Sequence, residues 1–114
     1  CPGVLETADH IFSQCPNAAN VWQLIGITVQ ANDYKYPWIL GKELSLPSHV
    51  HLDVIMMVLW QIWKARNALI FYGKPSSAHE VVRRVIKDFE AWKFRYRKHL
   101  TQILCWRDYL MARL

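Results

Sequence analysis

Residues Val54 to Trp60, Val-Ile-Met-Met-Val-Leu-Trp, leave no polar face for about two turns of helix, and a helix of that kind has to be surrounded. The run belongs to a longer helical pattern from Ser48 or His49 to Tyr72. Gly73, which can take the left-handed dihedral of a helix end, stops it, and Pro75 follows two residues later. After Trp60 the pattern narrows: Ile62, Trp63, Leu69, Ile70 and Phe71 are apolar, while Gln61, Lys64, Arg66 and Asn67 give one exposed face. Two readings of the apolar half stand. It is a central helix buried beneath its neighbours, or it is the seam of a dimer. The uninterrupted apolar stretch has seven residues, against about 20 for a bilayer crossing, so no membrane span is expected.

Other segments repeat the helical spacing. Asn17 to about Val29 places Val21, Trp22 and Ile25 on one face, with Pro16 at the entry and Gly26 near the end. Residues 30 to 48 carry Asn32, Pro37, Gly41, Pro47 and Ser48 and read as a long connection. It has a short extended or single-turn piece near Tyr36 to Leu40, and its Tyr34, Tyr36 and Trp38 pack onto helices. Ser77 followed by Glu80 is a capping box, opening a helix that reaches Tyr96 or beyond, with core positions Val81, Val82, Val85, Ile86, Phe89 and Trp92. Leu100, Ile103, Leu104, Trp106, Leu110 and Met111 continue the pattern, as one long helix or after a break near Lys98 to Thr101.

No useful stretch shows the alternation of half-buried strands. At 114 residues, 53% apolar and 20% charged, the chain belongs with globular domains and is long enough for one core. The expected fold is therefore all-α: one domain over residues 1 to 114, a small bundle of three to four helices with a short N-terminal Cys/His segment, and residues 48 to 114 as the helical core. Three cysteines are too few for a disulfide-stapled secreted domain, and residues 1 to 10 lack the basic head and apolar centre of a secretory signal. An intracellular setting is expected, in cytoplasm or nucleus, with an organelle still open.

Charge is unevenly placed. Residues 1 to 73 hold four Lys or Arg against five Asp or Glu, whereas residues 74 to 114 hold ten against four. Seven of the basic groups, Arg83, Arg84, Lys87, Lys93, Arg95, Arg97 and Lys98, fall between positions 83 and 98, interleaved with Phe89, Trp92, Phe94 and Tyr96. Cations alternating with aromatics can hold phosphates and stack on bases. The same pattern also describes an ordinary helix with a solvated face and a packed one.

Cys1, His10 and Cys15 bring two thiols and an imidazole within fifteen residues, a ligand chemistry suited to zinc, but a structural site needs four ligands. The alternative is that Cys15 is a small buried apolar group and His10 opens a helix. Residues 1 to 22, CPGVLETADHIFSQCPNAANVW, resemble the zinc-binding domain that follows the reverse transcriptase in plant non-LTR retroelements. The resemblance rests on Glu6-Thr7, His10-Ile11-Phe12, Cys15-Pro16 and Val21-Trp22. Residues 59 to 92, with Trp63-Lys64-Ala65-Arg66-Asn67 at their centre, look like the helical continuation found in those elements and in host genes derived from them. The resemblance implies a partial zinc motif over residues 1 to 22. It sets Cys1 at the family's second cysteine, leaving Cys1, His10 and Cys15 for none or one zinc ion.

Function classes follow. The nine acidic residues are scattered singly and the four glycines are isolated, so neither a two-metal carboxylate site nor a phosphate loop is present and no enzyme is expected. Six Trp, five Tyr and four Phe are many for one small bundle, and aromatics concentrate at protein interfaces. The leading expectation is a non-catalytic, retroelement-derived helical module that binds a protein partner or forms a homo-oligomer, with Trp106, Tyr109 and Met111 as anchors. The alternative use of those anchors is to cap the end of the bundle. The alternative function is RNA or DNA binding through the basic helix, residues 83 to 98.

Overall fold

The computed structural model describes residues 7–30, 32–44 and 46–114, and only the backbone of Gln14 and Tyr96. Within these residues the chain is all-α and has no sheet. It has five discrete helices, which corrects the expected three to four. A π-helical turn, His10–Gln14, comes first. The α-helices α1 (Pro16–Ile25), α2 (His51–Tyr72), α3 (Ala78–Trp92) and α4 (Leu100–Arg113) follow. The extra helix is the described part of the Cys/His segment, expected as a preamble to the bundle. There the Cys15 N–H donates to the His10 carbonyl five residues back at 2.7 Å, and the Trp22 indole donates to the Phe12 carbonyl at 2.8 Å.

The ends of the helices have readable causes. Pro16 occupies the first turn of α1, where a missing N–H costs nothing, and Gly26 closes that helix at φ 79°. Gly73 closes α2 at φ 62°, and the Lys74 N–H reaches back to the Ala68 carbonyl at 3.1 Å. The capping box is formed: the Glu80 N–H donates to Ser77 Oγ at 3.1 Å and the Ser77 N–H to Glu80 Oε1 at 3.4 Å. α3 stops at Trp92 rather than reaching Tyr96, and a 3₁₀ run, Lys93–His99, leads into α4. The aromatic residues at 92, 94 and 96 recur every second position, a spacing that fits no α-helical face. In the long connection the chain makes two single 3₁₀ turns, Asp33–Lys35 and Pro37–Ile39.

The hub of the bundle is α3, which packs on α1, α2 and α4, not the apolar helix α2. Val81, Val82, Val85 and Phe89 of α3 are buried; Trp92, expected in the core, is 43% exposed. α2 is covered on one side, by α3, α1, the π turn and the second 3₁₀ turn. Val54, Ile55, Val58, Leu59 and Ile62 are buried there, while Met56 is 50% and Trp60 52% exposed. The expectation of a helix surrounded on all sides is thereby corrected, because the other elements supply neighbours for one face only. Among the described residues α2 is also the helix long and apolar enough to cross a bilayer by length and composition, a property that counting uninterrupted apolar residues misses. A third of that stretch is buried inside the fold.

Candidate interaction surface

The open side of α2 carries Leu52, Met56, Trp60, Trp63 and Ile70, all substantially exposed. Their spacing of four, four, three and seven keeps them on one stripe of the helix. Next to the stripe, Phe12 from the π turn stacks on Tyr34 with centroids 5.6 Å apart, and Trp60 stacks on Trp63 at 5.2 Å. With Pro37, Met56 and Leu59 these rings bound a shallow apolar groove of about 410 Å³. Lys64 lies over the Trp60 ring at 5.8 Å, so a cation borders the aromatic patch. The sequence reading holds this helix open as a dimer seam but, taking Val54 to Trp60 as a uniform block, does not say which of its faces stays uncovered. The signal was present in the longer spacing, since Leu52, Trp63 and Ile70 extend the same stripe beyond that block.

The anchors expected on α4 are distributed differently. Trp106 is 1% exposed; its indole donates to the Pro47 carbonyl at 2.9 Å and its ring stacks on His51 at 5.8 Å. Tyr109 is half-buried and donates to the Ile25 carbonyl at 2.7 Å, while Arg113 donates to the Leu24 carbonyl at 2.8 Å. These two side chains satisfy carbonyls that the C-terminus of α1 leaves open. Trp106 is packed inside the bundle and the Tyr109 hydroxyl ties α4 to α1, while Met111 is exposed.

The basic segment is spread over α3 and the 3₁₀ run. Arg84 pairs with Glu80 at 3.7 Å and donates to Ser76 Oγ at 2.8 Å; Lys93 pairs with Glu90 at 3.3 Å. Arg107 reaches the same Glu90 at 2.9 Å. These two cations hold the Glu90 carboxyl below the usual glutamate range, the Arg107 hydrogen bond contributing most, and Glu90 in turn raises the Arg107 guanidinium. Asp88 accepts from Gln61 on α2. Arg83, Lys87, Arg97 and Lys98 have no ion-pair partner among the described residues. Arg95 lies 4.2 Å over the Trp92 ring and Lys93 5.6 Å from the Phe94 centroid, and Phe94 is 70% exposed.

Of the zinc-ligand candidates, Cys1 lies outside the described residues. His10 sits on the π turn with Nε2 buried and unpartnered, and Cys15 is buried and disulfide-bonded. Such a bond persists in an oxidising compartment and is broken in a reducing one. Among the described residues no three His, Cys, Asp or Glu side chains gather where they could hold an ion. No protein-family model, curated protein or solved structure matches the chain.

Proposed function

We propose that this chain is a non-catalytic helical interaction module, derived from a retroelement, that binds protein through the open face of α2. One observation carries the reading: Met56 and Trp60 stay half exposed in the middle of the most apolar helix, although the same fold buries Trp106 almost completely. Large apolar side chains at the centre of a patch, bordered by polar groups such as Asp53 and Lys64, are what a protein interface needs. The non-catalytic part of the reading is supported by the acids. Asp88 and Glu90 are taken up by Gln61, Lys93 and Arg107. The retroelement origin is supported by the sequence motifs at Glu6-Thr7, His10, Cys15, Trp22 and Trp63 to Asn67.

The test is the mass of the native assembly. Wild-type chain is expected in a species heavier than the monomer, and Trp60→Glu, at unchanged helix content, shifts it to the monomer. An assembly indifferent to Trp60→Glu overturns the proposal.

A second reading has its own observation. Trp92 and Phe94 are exposed beside Arg95, Arg97 and Lys98, a combination able to stack on bases while holding phosphates. Binding of single-stranded RNA through this ribbon is expected to fall steeply with salt, and Phe94→Ala with Arg97→Ala to weaken it. RNA binding absent at low ionic strength rejects it.

A further inference from the structure

The open face of α2 carries charge as well as apolar surface, and the placement of that charge names its occupant. Asp53 and Lys64 are both exposed, and neither has an ion-pair partner among the described residues. They stand eleven residues apart. At 100° and 1.5 Å per residue, that separation returns the side chains to within about 20° of the same azimuth, about 16 Å along the axis. Both lie on the same side of the apolar stripe, the acid toward the N-terminal end and the base toward the C-terminal end.

A helix with this pattern is complementary to itself run backwards. When two copies pack antiparallel about a two-fold axis perpendicular to the helices, residues on one flank of the first copy meet the same flank of the second. With the axis level with the Val58–Leu59 step, Asp53 of each copy faces Lys64 of the other, giving two equivalent ion pairs. The same register sets each Trp60 over the Met56–Met57 turn of the other copy, where thioether and indole make favourable contacts. A parallel two-fold pairing sets like flanks on opposite sides of the seam, so Asp53 and Lys64 of the two copies would not meet and neither pair could form.

Resting on the interface reading above, we infer that the occupant of the open α2 face is a second copy of this chain, docked antiparallel through Met56, Trp60 and Trp63 and registered by reciprocal Asp53–Lys64 pairs. The stripe is narrow, so the dimer is one that assembles with concentration rather than an obligate one.

Sedimentation of the purified chain over a wide concentration range tests this, with circular dichroism confirming that each variant is folded. Wild type is expected to dimerise and Trp60→Glu to stay monomeric. Asp53→Lys alone and Lys64→Asp alone each place like charges in contact twice, and each is expected to weaken dimerisation about tenfold. An equimolar mixture of Asp53→Lys and Lys64→Asp restores both pairs and forms a heterodimer of near wild-type strength, as does the double variant with itself. High salt narrows these differences.

A wild-type chain that remains monomeric throughout overturns the second copy as occupant. If the native assembly then still responds to Trp60→Glu, the interface belongs to a different protein. A dimer lost on Trp60→Glu but unmoved by the charge exchanges overturns the antiparallel register. A dimer indifferent to every one of these variants overturns both the inference and the reading it rests on.

Discussion

Gln61 of α2 donates its amide N–H to the Asp88 carboxylate of α3 at 2.7 Å, joining the apolar helix to the basic one, and its own Oε1 is buried without a partner. The two ends of this bond are unequal. Gln61 is 4% exposed, whereas Asp88 is only partly covered and has access to water. Removing the acceptor strands a buried donor; removing the donor releases a carboxylate that can be solvated. Asp88→Ala is therefore expected to destabilise the fold by about 1–3 kcal/mol, while Gln61→Leu lies close to neutral or above wild type. Urea unfolding of the two variants measures this, and equal losses would contradict it.

Trp106 and Met111 were expected to act alike on α4, and their burial now separates them. Trp106→Ala opens a hole between α4 and the segment before α2 and leaves the Pro47 carbonyl without its donor. A loss of about 3–5 kcal/mol is expected. Met111→Ala, on an exposed side chain, should change stability by less than about 0.5 kcal/mol. Trp106→Phe keeps most of the packing and falls between them. Thermal melts at one protein concentration give the order, and a harmless Trp106→Ala would mean that α4 is not part of the core.

Much of this architecture can be read from local signals. Pro16 and Gly26 bracket α1, Gly73 ends α2, and Ser77 with Glu80 opens α3, because each acts on the backbone within a turn of itself. Long-range decisions were not legible in the same way. That α3 is the hub, that Trp106 is core and that Trp60 faces outward depend on which face of each helix finds a neighbour. Periodicity shows that an apolar face exists but not what covers it. The uniform run Val54 to Trp60 is the clearest case, since a segment apolar on every side carries no record of which side stays open. Of the α2 stripe, the spacing of Leu52, Trp63 and Ile70 was legible; that Met56 and Trp60 stay open between them needed the fold.

Two glycines with positive φ allow a controlled comparison. A Cβ on Gly26 would meet the Tyr109 hydroxyl at 2.9 Å and the Arg113 guanidinium at 3.3 Å, while one on Gly73 meets nothing within 4 Å. Gly73→Ala thus bears only the left-handed backbone cost, about 1–2 kcal/mol. Gly26→Ala carries that cost and also pushes α4 off the end of α1. It is expected to lose more, and pairing it with Tyr109→Phe should recover part of the difference. Comparable losses for the two alanine variants, read from denaturant midpoints, would show that α4 does not rest on Gly26.

Glu90 supplies the pH dependence. Its carboxyl is held below the ordinary glutamate range by hydrogen bonds from Arg107 first and Lys93 second, so the folded chain keeps the proton off more strongly than the unfolded chain does. A carboxylate lowered in this way contributes its stability in full above the unfolded value, and that contribution is lost as pH falls through the folded one. Arg107, raised by the same pairing, gives a contribution present at all pH values below the ordinary arginine range, so it adds no acid-side slope. Stability should therefore decline in the acid region just below the usual glutamate range. The group is at the surface, so the effect should be small and should shrink in high salt. Glu90→Gln should flatten that part of the curve while leaving the neutral side nearly parallel to wild type. Urea midpoints followed from neutral pH into acid, at low and high ionic strength, decide the matter. Identical acid limbs for the two proteins would show that the Glu90–Arg107 contact does not persist in solution.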